Sequence, residues 1–285
     1  MKLRFLGTSA ATGFPNAHCR CENCVAARQQ GGKSIRRMSS AMIDDNLVID
    51  LGPDIDSACR DFGIDLADVE WVLQTHPHAD HLSAIHATGR AASWAAKNAK
   101  QLEWLGSQQA IDLILGQLGK SAQKVDLTVN EPDSVSKLKL TTIAPWNEYT
   151  VGDYRVQSIA ANHDANVDPM LFAIEKDGRR LLYGTDTTTL PDDTWPRMAD
   201  LGWTFDVVVF DHNDGFMRDV SQTHMGSGGV LREFDLMKSA GMATESTRLY
   251  GTHISHHSNS THDVEQAKAQ ERGYDIAYDG LIVDI

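Results

Sequence analysis

The stretch Thr75-His76-Pro77-His78-Ala79-Asp80-His81 puts three imidazoles and a carboxylate within six residues, directly after the apolar run Val69 to Leu73. His76 and His78, two apart, project to the same side of an extended segment, and Asp80 and His81 follow where the chain turns. One loop can therefore supply ligands to two neighbouring metals. Neutral imidazoles with a carboxylate suit zinc, iron or manganese, and such mixed nitrogen and oxygen sets are typical of catalysis rather than of sulfur-rich structural sites.

Further candidates stand at the ends of apolar runs: His163 after Ser158 to Asn162, Asp186 after Arg180 to Thr185, and His253 after Leu249 to Thr252. A single strand-end Asp or His reads as a turn former or helix cap. Their occurrence beside the histidine loop reverses that reading, because loops at the ends of a rigid sheet are where chemistry is presented. A second cluster, Cys19-Arg20-Cys21-Glu22-Asn23-Cys24, offers three thiolates that can hold one zinc if a fourth ligand comes from elsewhere. Three small buried cysteines without metal is the competing reading.

The elements that must position these groups follow from periodicity and turn signals. Lys2 to Leu6 reads as a strand running into the small-residue turn Gly7 to Gly13, which has neither a Gly-Lys-Ser/Thr ending nor a dinucleotide fingerprint and so lets backbone pass close to a site. After the basic run Lys33 to Arg37, read as a solvated loop, Ser39 to Ile43 and Asn46 to Asp50 read as strands joined at Asp44-Asp45. Gly52-Pro53 stops the sheet and Ile55 to Phe62 starts a helix carrying Cys59, read as a small core residue. Helices are expected over Ile85 to Lys97 and Gln109 to Leu118, with a strand at Gln101 to Leu105 between them. Val125 to Val129, Leu138 to Ile143 and Tyr154 to Ile159 read as strands of a second sheet. Helices outside two sheets make a four-layered α/β/β/α sandwich.

At 285 residues and 41% hydrophobic the chain can bury a full core, and one α/β domain over residues 1–285 is expected. The net charge of −13 argues against an extended nucleic-acid footprint while leaving room for a small anion at a metal. No signal peptide or bilayer-spanning segment is visible, so a cytoplasmic protein is expected; three crowded cysteines plus Cys59 agree, being a poor disulfide framework.

The T-H-P-H-A-D-H loop, His163, the G-T-D-T around Asp186 and the G-T-H-I-S-H around His253 resemble the ligand series of metallo-β-lactamase-fold hydrolases over nearly the whole chain. C-R-C-E-N-C near the N-terminus with T-H-I-S-H near the C-terminus is more specific, and is similar to the phosphodiesterases of the carbon-phosphorus lyase pathway, which act on a ribosyl cyclic phosphate. The resemblance implies that His76, His78 and His163 hold a first metal, Asp80, His81 and His253 a second, and that Asp186 bridges them. It also implies a separate structural zinc on Cys19, Cys21, Cys24 and His256. Asp80 and His224 are the implied catalytic side chains. His224 falls where that phosphodiesterase has a catalytic histidine, within a segment, Thr204 to His224, that follows the family in layout more than in letters; His212 and His257 are the competing candidates for protonating the leaving group. His18, His86 and His262 are assigned no role and are expected to be ordinary exposed polar residues.

The implied chemistry is hydrolysis of a small anionic phosphodiester by two divalent metals, zinc or manganese. Lying about 3.5 to 4 Å apart, these generate a bridging hydroxide that attacks phosphorus and neutralise charge on the phosphoryl oxygens. Alternatives sharing the fold are RNA cleavage of the tRNA 3′-processing type and hydrolysis of a lactone, thioester or β-lactam. A non-hydrolytic role like that of pyrroloquinoline-quinone biosynthesis protein B ranks low, because the full H-x-H-x-D-H pattern is intact here. A membrane partner is not expected, and a homodimer is left open.

Overall fold

The computed structural model describes residues 1–91, 96–120 and 137–285. Among these, the strands form two seven-stranded sheets. The first runs, in spatial order, β14 (Ile282–Asp284), β1 (Lys2–Gly7), β2 (Ser40–Ile43), β3 (Leu47–Ile49), β4 (Trp71–Leu73), β5 (Leu102–Gly106) and β6 (Leu138–Thr142). The second runs β13 (Asp275–Ile276), β12 (Arg248–Thr252), β11 (Val207–Asp211), β10 (Arg179–Gly184), β9 (Met170–Lys176), β8 (Tyr154–Ala160) and β7 (Glu148–Val151). Each sheet has an antiparallel half and a parallel half, the parallel strands being β3 to β6 and β10 to β13.

Parallel neighbours need long crossovers, and helices supply them. The first sheet is crossed by α2 (Ile55–Phe62), α3 (Ile85–Ala91) and α4 (Gln108–Lys120), the second by α5 (Thr194–Ala199), α6 (Ser227–Ser239) and α7 (His262–Gln270), while α1 (Glu22–Gln30) follows the cysteine loop. Alternation along the strands sorts the side chains into layers. Val207 and Val209 face Phe5, Ile43 and Leu73 across the gap between the sheets. Val208 and Phe210 point the other way, onto Trp195, Val230, Met237 and Ala269 of the helices. Trp104, Val48 and Val72 meet Ile55, Ala58, Ala110 and Ile114 on the opposite outer face. This is the four-layered sandwich expected from the sequence.

Several local readings are corrected. Leu138 to Thr142 joins the first sheet, not the second, because α4 returns the chain beside β5 for parallel pairing. The helix expected to Lys97 runs as far as Ala91 among the described residues, Ala96 and Lys97 being non-helical, and the strand expected at 125–129 lies outside the described residues. The basic run is not a solvated loop throughout. Arg36 is buried, its guanidinium donating to Thr8 Oγ1 and the Ala277 carbonyl and facing His262 Nδ1, which buries His262 as well. Cys59 is half-buried at the edge of the helix layer rather than in the core. No helix among the described residues is long and apolar enough to cross a membrane.

Candidate metal centre

Six strands of the two sheets end at the same place. Asp50 follows β3, Thr75 to His81 follow β4, His163 follows β8, Asp186 follows β10, Asp211 closes β11 and His253 follows β12. Asp50, Asp186 and His253 each turn at positive φ, 64°, 51° and 61°. Non-glycine residues rarely adopt this region, and at a strand end it swings the side chain out of the pleat toward the loops. The histidine loop is fastened on both sides. Met170 N donates to Thr75 O at 2.9 Å, and Gly52 passes so near that a Cβ there would lie 2.5 Å from Asp80 O.

The sequence-predicted ligands converge into two sets. His76 Nε2 is 3.0 Å from His78 Nδ1, which is 3.3 Å from His163 Nε2. His81 Nε2 is 3.2 Å from Asp80 Oδ2, and His253 Nε2 is 3.5 Å from the same oxygen. Asp186 stands between the sets: Oδ1 is 3.8 Å from His163 Nε2, while Oδ2 is 2.7 Å from His81 Nε2 and 3.2 Å from His253 Nε2. Ligand bonds of about 2.0 to 2.2 Å place ligand atoms of one tetrahedron roughly 3.3 to 3.6 Å apart, so both sets have the spacing of a metal-ligand shell.

The outer nitrogens determine what the inner ones can do. His81 Nδ1 lies 2.7 Å from Asp50 Oδ2, His163 Nδ1 lies 3.0 Å from the Thr223 carbonyl, and His76 Nδ1 lies 3.0 Å from Thr75 Oγ1. The Thr75 hydroxyl itself donates to Asp50 at 2.8 Å, so it accepts from His76. Each of these imidazoles thus spends its proton outward and turns a lone pair inward. The buried Nε2 atoms of His81 and His253 have no hydrogen-bond partner. Lone pairs and carboxylates converging in a buried space repel one another unless cations lie between them, so the donor set fits divalent metals.

The charge environment agrees. Burial, then the neighbouring His81, holds His76 well below the ordinary histidine range and keeps it neutral. Burial would raise Asp186, but His253 and His81 outweigh it and hold the carboxyl well below its usual range. Burial opposes charge on His81, yet Asp186, Asp80 and Asp50 push its pKa well above the ordinary value. The same carboxylates that favour a proton on His81 favour a metal in its place.

Of the three histidines weighed as proton donors, one is at the centre. His224 stacks on His253 with ring centroids 5.3 Å apart, and its Nδ1 is 2.8 Å from Asp211 Oδ2. Burial pulls its pKa down, but Asp211 overrides this and raises it to about 9. His212 is buried against Tyr274, with Nε2 2.9 Å from the phenol oxygen, and His257 is exposed behind His256. His86 is half-buried, facing the Gly52 carbonyl, so only His18 is the exposed residue expected of the unassigned histidines.

Cys19, Cys21, Cys24 and His256 offer ligand atoms all within 4.8 Å of one another. Cys21 caps α1, its sulfur accepting from Cys24 N. Burial alone would raise its thiol, but that backbone N–H and the neighbouring thiols lower it, while burial pushes Cys24 up to about 11.

Two residues in this geometry carry no role in the sequence reading. Asp50 takes Gln74 Nε2, Thr75 N, Thr75 Oγ1 and His81 Nδ1 onto one buried carboxylate. Asp211 accepts from Asn213 N at 2.8 Å and lies 3.6 Å from His253 Nδ1 besides holding His224. Their only signal was the one that picked out Asp186, an aspartate closing an apolar run.

A beta-lactamase superfamily domain model matches residues 45–254. The chain is 24% identical over 230 residues, 75% of either protein, to "Exodeoxyribonuclease YycJ" of Bacillus anthracis. In fold it is similar to a diphosphatase of the PhnP family, at 17% identity and a TM-score of 0.70 over 99% of this chain and 96% of that one. It is likewise similar to Zn(2+)-bound PqqB from Methylobacterium extorquens, at 20% identity and a TM-score of 0.68 over the full length of both. With the family model spanning most of the chain and the sandwich carrying convergent histidines and aspartates at its strand ends, this protein belongs to the beta-lactamase superfamily and is a metallo-β-lactamase-fold hydrolase.

Proposed function

We propose that the protein is a phosphodiesterase of small anionic diesters, such as a ribosyl 1,2-cyclic phosphate, working with two divalent metals. The observation that carries this is the split of the Asp186 carboxylate, with Oδ1 toward His163 and Oδ2 toward His81 and His253. In this reading His76, His78 and His163 hold one metal and Asp80, His81 and His253 the other. When bound, the pair activates a water for attack and offsets negative charge on the phosphoryl oxygens. His224, fixed through Nδ1 by Asp211, presents Nε2 as the proton donor for the departing ester oxygen. Cys19, Cys21, Cys24 and His256 hold a structural zinc.

Phosphorus as the electrophile is supported by the relative named as an exodeoxyribonuclease and by the diphosphatase fold neighbour. The relative also favours a second reading, cleavage at a DNA end, against which the net charge of −13 weighs. The test is turnover by metal-reconstituted protein of bis(p-nitrophenyl) phosphate, 2′,3′-cyclic nucleotides, ribosyl 1,2-cyclic phosphate, single-stranded DNA and pre-tRNA, beside a lactone and a β-lactam. Metal-dependent turnover of the small diesters is expected. Turnover of DNA first would favour the second reading, and turnover of the lactone and β-lactam alone would overturn both.

A further inference from the structure

His78 differs from the other imidazoles of the centre in how little protein surrounds it. Its side chain is 36% exposed, against 0% for His81 and 2% for His253. Its inward nitrogen is Nδ1, the atom that faces His76 and His163. Nε2 therefore points outward, and which tautomer the ring adopts depends on what meets that atom. With water alone there, Nε2 and Nδ1 would share the proton, and the ring would be held by neither partner.

The atom that meets Nε2 is Asp164 Oδ2, at 3.4 Å. Asp164 is not a loose surface carboxylate. Its Oδ1 accepts from Asn166 N at 3.0 Å and from Asn166 Nδ2 at 2.8 Å, and its carbonyl accepts from Val167 N at 3.2 Å. This turn occupies one carboxylate oxygen and leaves the other aimed at His78. Asp164 also directly follows His163 in the chain, so the residue that supplies one ligand of the first set places the orienting group for another.

We infer that Asp164 is a positioning residue: it accepts a hydrogen bond from the Nε2–H of His78, fixes the tautomer that leaves the Nδ1 lone pair facing inward, and so raises metal affinity at the first set alone. The inference rests on the dinuclear reading of the centre. A carboxylate behind a ligating imidazole increases its basicity and locks its orientation, and loss of such a partner typically lowers metal affinity about 10- to 100-fold.

Two measurements test it. With zinc bound, long-range proton–nitrogen NMR spectra should show His78 as the Nε2–H tautomer with that proton in slow exchange with water, Asp164→Ala should speed the exchange, and Asp164→Asn, whose amide oxygen can still accept, should slow it again. In cobalt titrations against a chromophoric chelator, the wild-type protein should take up two ions at the imidazole and carboxylate centre. Asp164→Ala should weaken one of them about 10- to 100-fold and leave the other unchanged, with Asp164→Asn recovering most of the loss. Wild-type protein that binds no cobalt there would overturn the dinuclear reading and the inference with it. Two ions bound by the wild type and equally tightly by Asp164→Ala, or a His78 Nε2–H exchange rate insensitive to Asp164, would overturn the inference while leaving the dinuclear reading standing.

Discussion

The strand-end centre and the cysteine cluster both gather ligand atoms within a few ångström, but by different means. The first draws on six strand ends of two packed sheets, and the outer nitrogens of His76, His81 and His163 are braced by an acceptor. The second draws three thiols from one loop and helix start and takes only His256 from afar, 235 residues after Cys21. A centre that must hold metals yet keep positions open for substrate needs its geometry imposed from outside, by sheet and bracing. Three thiolates and an imidazole close a tetrahedron by themselves, and the metal does the organising. The contrast explains why buried carboxylates cluster around one site and not the other.

Removing Asp186 should break the contrast most sharply. Asp186→Ala takes one oxygen from each ligand set, so we expect both catalytic metals to be lost and diester hydrolysis to fall to background, with the cysteine cluster still carrying about one zinc per chain. Metal analysis beside an activity assay reads both. A variant retaining two metals and full turnover would remove Asp186 from the centre. Next in size is His224→Ala, expected to lower kcat about 10²- to 10⁴-fold with metal content unchanged, as for loss of a general acid. The loss should shrink for a diester with a good leaving group such as p-nitrophenolate, which needs no proton; an equal loss for all leaving groups would assign His224 to structure.

Asp50→Ala should cost less activity, about 10- to 100-fold through the orientation of His81, but should also destabilise the fold. It strands the Thr75 N–H and His81 Nδ1 donors in a buried space, each at about 1 to 3 kcal/mol, while Gln74 keeps the His76 and His81 carbonyls. A melting curve and a metal titration together separate the two effects; unchanged affinity would mean that packing alone fixes His81. This residue also shows where legibility in the sequence ended. The histidine loop could be read because three imidazoles in six residues have no common structural explanation, and His163, Asp186 and His253 could be attached to it. Asp50 and Asp211 end apolar runs in the same way, but a lone aspartate there is indistinguishable from a turn until the strand order brings it behind His81 or His224. The sheet of β6 was misassigned for a related reason: alternation shows that a segment is a strand and not which neighbour it pairs with. Arg36 looked solvated because a run of basic residues does not reveal that one of them meets Thr8 and His262 across the fold.

The smallest expected effect on turnover, and the one that tests the other half of the contrast, is Cys21→Ser. Serine is a good helix N-cap, so the hydrogen bond that Cys24 N makes to residue 21 should survive the change and α1 should keep its start. What is lost is a thiolate, and any fall in stability then measures the metal rather than the cap. We expect zinc content to drop by about one per chain and the melting temperature to fall, by about 2 to 4 °C for each kcal/mol lost in a domain of this order of size. Activity should fall only modestly, because His256 lies three residues beyond His253 and Ile254 between them stays bonded to the Thr8 carbonyl and to Ala10 N. A mild chelator should act in the opposite order, stripping activity first from the open centre while one zinc and the folded protein remain. If Cys21→Ser left both zinc content and melting temperature unchanged, the three cysteines would be small packing residues around the start of α1, and the difference between the two regions would be one of burial rather than of metal chemistry.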